Sequence, residues 1–457
     1  MNTEQDRSGA LEKTGGIPLV APVCYLAIIL YGSFIPFRLR QISLLEAWQR
    51  FVDLPYLQLG AASRADWIAN ILLYVPLALL LAAWLEERSG RSALKRIGTG
   101  SLVFVVCLFV AVFVEFTQVF IAPRTVSMND LIAEMIGAIL GLLVWFFGWG
   151  QLRNLWGKIR SGGDDALQGM FVAYFACYLL MAFFPYDVLV SWNEWQSKLA
   201  GGHWGWLWAG DLGPFKRIVL NGVEIAAAVP FGFWIGLRIR QWRSALKRAV
   251  VFGLTLGIGI EVLQIGLASG VTQGMSVVTR AVGVVAGAVF LLFLEQGKLR
   301  FLRPWIRPAI LFLLLPYLFI LVYVNGWFGS DLLGLKEGTG KFSWQMLLPF
   351  YFHYFTTETR AVVSVLVFFF LYFPMGLAGF AWDFINRRIA FRARKFVFPA
   401  FFLACFLELG KFFLQGKHPD FTNVLLAVLA SWIGYKVARW FVGMMQKRFE
   451  LFPFRAR

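Results

Sequence analysis

The chain has 457 residues, of which 59% are hydrophobic and 15% charged, with a mean hydropathy of +0.67; this excludes an ordinary water-soluble domain, where about a quarter of residues are charged. A net charge of +17 would suit a nucleic-acid partner, but the Lys and Arg fall in short clusters between apolar runs, and no nucleic-acid-binding module is visible. Cys24, Cys107, Cys177 and Cys405 all lie inside apolar segments, which gives small hydrophobes rather than a disulfide framework.

A polar start, 1–16, mixes acids and bases and has no signal-peptide pattern, so it reads as a cytoplasmic tail. About twelve apolar runs follow, each near the roughly 20 residues that span a hydrocarbon core: 17–37, 66–85, 98–122, 128–150, 167–190, 217–237, 247–268, 271–294, 305–326, 359–382, 396–415 and 420–442. The basic clusters Arg88–Arg96, Arg153–Arg160, Arg238–Arg248, Lys298–Arg307, Arg387–Lys395 and the tail from Lys436 to Arg457 fall in every second connection. The positive-inside bias makes those connections and both termini cytoplasmic. The opposite loops 38–65, 191–216 and 327–358 are rich in aromatic residues, Gly and Pro, and read as segments lying at headgroup level. The fold class is therefore all-α, a polytopic transmembrane bundle.

Laid on itself, the chain repeats. Asp130–Gly141 aligns without gaps to Ser276–Gly287 and to Asn423–Gly434, and fifteen residues before each start stands Glu115, Glu261 or Glu408. Asn70-Ile-Leu-Leu-Tyr-Val-Pro76 likewise matches Glu224-Ile-Ala-Ala-Ala-Val-Pro230, with a weaker partner ending at Pro374. Three units of four helices are expected, 17–150, 151–300 and 301–445, with a basic tail at 446–457. An even helix count returns the chain to one side, so the units share one orientation, unlike inverted repeats. Gly137/Gly141 and Gly283/Gly287 have the small-xxx-small spacing of close helix approach, with Ala430/Gly434 in the third unit.

Against this apolar background a few polar residues stand out. Glu115 and Gln118 share a helix face at i, i+3, Asp130 and Glu134 at i, i+4, and Arg124 sits in the turn between the two helices. With Asp66 and Asn70 they all fall towards the extracytoplasmic end of the first unit. Ionisable groups at membrane depth mark a pathway, a binding site or a pairing network. The equivalent positions hold Glu224, Glu261, Gln264 and Arg280 in the second unit and Glu408, Lys411 and Asn423 in the third. The exchange of Asn70 and Glu134 for Glu224 and Arg280 predicts a buried ion pair in the second unit. Arg124 reads as a headgroup-phosphate contact or an anchor of the turn, and Asp130 as a ligand or a helix cap. Lys411, Lys417, His418 and Asp420 read as a solvated polar turn.

Glu115-x-x-Gln118, the Arg124 turn, Asp130 and the Gly137-x-x-x-Gly141 helix, with the upstream Asp66, Asn70 and Pro76, resemble the VanZ-like domain, best over 17–150. The resemblance implies a bacterial envelope protein of the inner membrane and, loosely, a link to glycopeptide resistance. The family often has Asn where Glu134 stands, and the later units carry Arg280 and Ala427 there, so an intact site is expected in the first unit. His203, His353 and His418 are too dispersed for a metal set, and no phosphate-binding, dinucleotide or nucleophile motif is present, so no cofactor and no catalytic residue is assigned. The expected partners are membrane lipids and an amphiphile, a lipid-linked glycan precursor or a glycopeptide. The alternatives are a structural partner of an envelope assembly or a transporter of lipid-linked material; the oligomeric state is not legible.

Overall fold

The computed structural model describes residues 17–89, 92–161, 163–210, 213–239, 241–295, 299–386 and 393–449. The expected tail 1–16, residues 450–457 of the expected basic tail and parts of the basic connections (90–91, 240, 296–298, 387–392) lie outside them.

The chain divides into two compact bodies, each described by itself. The first comprises Met1–Lys158, Phe184–Trp195 and Leu267–Ser269. Its elements are α1 (Val20–Phe34), β1 (Arg38–Leu39), α2 (Leu44–Val52), α3 (Ala61–Ser89), α4 (Ala93–Gln118), β2 (Ile121–Ala122), α5 (Met128–Leu143) and, up to Lys158, α6 (Trp149–Ser161), the last two joined by a π-helical turn at Val144–Gly148. The remainder of the chain forms the second body, with α7 (Gly163–Phe183), β3 (Trp204–Gly205), α9 (Pro214–Arg238), α10 (Trp242–Ile265), β4 (Thr272–Gln273), α11 (Gly274–Glu295), α12 (Leu299–Val324), α13 (Leu335–Gly340), α14 (Glu358–Ile385), α15 (Arg394–Gly410) and α16 (Phe421–Phe449). The short α8 (Trp192–Ala200) begins in the first body and ends in the second.

Eleven helices among the described residues are long and apolar enough to cross a membrane. The run expected at 17–37 is shorter: α1 has 15 residues, because the chain leaves the helix at Ile35, before Pro36, and Phe37 turns back at φ 57°. The outer surfaces are apolar, with Phe109 71% and Phe312 78% exposed, the arrangement of a bundle whose solvent is lipid. The chain is a polytopic, all-α membrane protein.

Local sequence sets the helix ends. Ser92 accepts a hydrogen bond from the Lys95 N–H at the start of α4, and Thr357 from the Arg360 N–H at the start of α14. Ser191 and Glu194 form a reciprocal capping box on α8: the Ser191 hydroxyl accepts from the Glu194 N–H, and the Glu194 carboxylate accepts from the Ser191 N–H.

Glycine sets the closest packing. In lipid, association depends on backbone approach rather than on expelling water. A Cβ on Gly137 would lie 2.2 Å from the Ile71 carbonyl oxygen and one on Gly141 2.3 Å from that of Val75, so only glycine lets α5 lie against α3. The same holds in the second body, with Gly283 and Gly287 of α11 against the Ile225 and Val229 carbonyls of α9, and Gly434 of α16 against that of Phe373 in α14. Pro76, Pro230 and Pro374 lie inside α3, α9 and α14. Each removes a helix hydrogen bond to the carbonyl four residues earlier. Beside each loosened carbonyl a tyrosine hydroxyl donates to the next one along: Tyr25 to Leu73, Tyr174 to Ala227 and Tyr317 to Leu371.

The aromatic-rich segments 38–65, 191–216 and 327–358 hold short helical pieces. On α2, Leu44, Leu45, Trp48 and Val52 point outward, while Ala47 is fully buried and Phe51 packs edge-on to Phe116 of α4. Each segment then touches the turn after the third long helix of its set. β1 pairs antiparallel with β2, and isolated bridges join Val188 to Leu267 and Leu332 to Leu414.

Candidate functional site

The α4–α5 hairpin gathers the acids of the first body. Glu115 on the last turn of α4 is 2% exposed and Glu134 on the second turn of α5 is 3% exposed. One carboxylate oxygen of each has no hydrogen-bond partner, and the same is true of the buried Tyr74 hydroxyl. Glu115, Asp130 and Glu134 lie close enough to act on one another electrostatically. Tyr74 lies beside Glu134, its hydroxyl facing the carboxyl group. Asp130 differs: its carboxylate accepts from Asn70 Nδ2 at 2.8 Å and from the Ser127 hydroxyl at 2.6 Å, and it sits in the first turn of α5, where the helix dipole favours an anion. Gln118 is buried beside the cluster, while Asp66 is exposed near the start of α3.

Arg124 reaches the first helix. Its Nε donates to the Ile35 carbonyl at 2.9 Å and a terminal nitrogen to that of Gly32 at 2.6 Å, so the guanidinium closes the C-terminal end of α1. Arg40 acts in the reverse direction, donating to the carbonyls of Val119 and Arg124 after α4. Lys198 does the same to Gln264 and Ile265, and Lys341 to Leu414 and Lys417. The Ile35, Val119, Gln264, Ile265 and Leu414 carbonyls stand at the C-terminal ends of their helices, where a cation has the favourable sign for the dipole. Sequence comparison missed these cations, because their distance from the repeated blocks varies and gapless alignment does not bring them into register.

A cavity of about 570 Å³ opens beneath α2, with Arg40, Glu46, Arg50, Asp53 and Arg124 in its wall. Glu115, Gln118, Asp130 and Glu134 do not line it, but Val119 and Val126 do, and these adjoin Gln118 and the buried Ser127 in sequence. Asn129, also buried, clamps the cavity rim: its side chain accepts from the Leu57 N–H at 2.8 Å and donates to the Leu57 carbonyl at 3.1 Å.

At the sequence-aligned positions of the second body the acids are paired. Glu261 accepts from Arg280 and from the Gln273 N–H, both at 2.6 Å. The expected Glu224–Arg280 pair forms at 3.6 Å, so Glu261 is the closer partner of the guanidinium. Glu224 also accepts from the hydroxyls of Ser276 and Thr279. Its bond to Ser276 repeats the Asn70–Asp130 contact with donor and acceptor exchanged. Gln264 donates to the Ala182 carbonyl. A cavity of about 230 Å³ reaches Glu261 between Trp204, Trp206 and Gln273.

Glu408 accepts from Lys411 at 2.6 Å, from Asn423 at 2.9 Å and from the Asp420 N–H at 2.8 Å. The expectation of a solvated turn at Lys411–Asp420 is thus corrected for its two ends: Lys411 is 6% and Asp420 8% exposed, because Glu408 draws both inward. Lys417 is half-buried and His418 exposed.

Two acids at the opposite helix ends were not read from sequence. Glu86 accepts from Trp145 Nε1 and pairs with Arg96 at 3.2 Å, while Arg96 also donates to the Phe146 carbonyl in the π-helical turn. Asp383, fully buried, accepts from the Tyr435 hydroxyl.

No group of three or more His, Cys, Asp or Glu side chains among the described residues is gathered to hold a metal ion. The α4–α5 hairpin with its acids, the Arg124 turn and the glycine-packed α3–α5 pair fall within residues 21–149, which match the family model VanZ/LLP1. This region is VanZ-like. No curated protein and no solved structure matches the chain. In the VanZ-like region one carboxylate oxygen each of Glu115 and Glu134 is without a hydrogen-bond partner; at the aligned positions Glu261 and Glu408 both carboxylate oxygens are paired.

Proposed function

We propose that the VanZ-like region binds an amphiphile from the extracytoplasmic leaflet, a lipid-linked glycan precursor or a glycopeptide, and that this binding underlies a role in the bacterial cell envelope linked to glycopeptide resistance. The observation that carries the reading is the cavity under α2, walled by ionic side chains, roofed by an amphipathic helix with outward Leu44, Leu45, Trp48 and Val52, and continuous in sequence with the buried acids. Such a place offers apolar contact to a tail and polar contact to a head. Positive-inside loops orient the hairpin outward, with both termini cytoplasmic.

Units 151–300 and 301–445 are, on this reading, diverged copies of the first. The support is geometric: a tyrosine-to-carbonyl contact beside a helix proline, a strand pairing or bridge behind a later helix and a cation on that helix end recur once in each unit.

The test is retention of lipid-linked precursor or glycopeptide by the purified full-length chain, measured by mass spectrometry. Glu115→Ala and Asp130→Ala are expected to abolish retention while leaving folded protein. Wild-type protein that retains neither ligand, together with variants that only lose folded yield, would leave the structural role in its place.

A further inference from the structure

The three aligned clusters differ in where their positive charge comes from. In the second, Arg280 on α11 lies against Glu261; in the third, Lys411, one helical turn beyond Glu408, lies against it and over the Phe368 ring at 5.4 Å. The VanZ-like region has Glu134 where Arg280 stands and Gln118 where Lys411 stands, so neither internal cation exists there. Arg124 acts on Glu115 electrostatically, but its guanidinium donates to the Gly32 and Ile35 carbonyls. Buried oxygens from three helices meet here: one carboxylate oxygen each of Glu115 and Glu134 is without a hydrogen-bond partner, and the Tyr74 hydroxyl lies beside Glu134 with its lone pairs free to accept.

A buried carboxylate that is not hydrogen-bonded to a cation costs several kcal/mol, on the order of the penalty for any desolvated ion. The second and third clusters avoid that cost with a nitrogen donor at 2.6 Å. We propose that the first cluster receives a primary ammonium group from outside the chain, carried by an amphiphile, in the place that Arg280 and Lys411 fill in the other two. An ammonium has three N–H donors, matching three acceptor oxygens, and the lysine version of the contact is already built into the chain at Lys411. The inference rests on the amphiphile reading above and names the chemistry of the head.

The experiment uses the purified full-length chain with dodecylammonium and dodecanol as probes, their binding followed by native mass spectrometry and thermal shift. Dodecylammonium should bind more tightly than dodecanol, and Glu115→Gln and Glu134→Gln should each weaken it about tenfold or more, the loss of one charge-assisted hydrogen bond. Glu134→Arg, which copies Arg280, should fold, melt higher and bind no dodecylammonium; if it fails to fold, the two Gln variants still decide. In nanodiscs with phosphatidylethanolamine, retention of that lipid despite added ethanolamine would place the amine on a lipid, and displacement by ethanolamine would place it on a free amine; either outcome supports the ammonium site. Equal binding of dodecanol and dodecylammonium, or no loss in both Gln variants, overturns the ammonium inference while the amphiphile reading stands. Failure of every probe to bind overturns both.

Discussion

Arg124 shows how far a single residue could be read. Its place in a tight turn between two apolar helices was visible in the sequence, but its partners, the carbonyls of Gly32 and Ile35, lie about ninety residues away and no local pattern names them. Replacing it by Met removes two charge-assisted bonds worth about 1.5–3 kcal/mol each before compensation. Arg124→Met should therefore lower the melting temperature by several degrees in detergent; an unchanged melt would show that α1 is held without it. Glu194 gives a pH prediction. The Arg64 guanidinium at 2.8 Å, with the Val190 and Ser191 N–H groups, holds its carboxyl below the usual carboxylate range. A lowered pKa in the fold means that the stabilisation is complete above the unfolded value, about 4.3, and is lost as pH falls through the folded one. The melting difference between wild type and Glu194→Gln should be present at neutral pH and shrink to nothing in acid. A difference that persists unchanged at about pH 3 would contradict the assignment. The candidate acids themselves were legible because charge in an apolar run has no background to hide in. Tyr74 was not, since a tyrosine in such a run looks like any other aromatic until its oxygen is found buried and without a partner.

Helix packing was legible wherever it depends on glycine spacing. Gly137 and Gly141 declare the face of α5 that meets α3, although not that the contact is to the Ile71 and Val75 carbonyls. Gly137→Leu would force the side chain into backbone, at a cost of about 3 kcal/mol or more, the upper end of what overpacking typically costs. It should abolish folded, monodisperse protein, and a normally folded Gly137→Leu variant would show that α3 and α5 are not in close contact. The prolines inside α3, α9 and α14 were visible as the ends of aligned blocks, but the tyrosines that serve their loosened turns were not, because each comes from an earlier helix. Tyr25→Phe is expected to cost about 0.5–1.5 kcal/mol by loss of one hydrogen bond. If the hydroxyl serves the backbone that Pro76 loosens, the cost should fall in a Pro76→Ala background, so a double-mutant cycle on the melting free energy checks it. The span expected at 17–37 illustrates the limit of hydropathy: it counts Pro36 and Phe37 as apolar, and the backbone turns there.

At the scale of the whole chain, composition alone identified a multi-pass helical protein, and the aligned blocks located the equivalent acids. The alignment could not show that α2, α8 and the segment before α14 each touch the turn behind a third long helix, since those contacts use short strands and bridges with no sequence signature. Nor could it show which acids have a cation hydrogen-bonded to them: Arg280 and Lys411 stand at different positions of the aligned sequence and approach their glutamates from different helices. The account therefore turns on the contrast between one cluster without an internal cation at these positions and two that have one. Its most direct test is a cryo-EM map of the full chain in nanodiscs containing phosphatidylethanolamine, at a resolution that shows side chains. The account predicts non-protein density touching Tyr74, Glu115 and Glu134, with Arg280 and Lys411 seated against Glu261 and Glu408. A map in which another side chain of the protein pairs with both Glu115 and Glu134, and no such density lies between them, would contradict it.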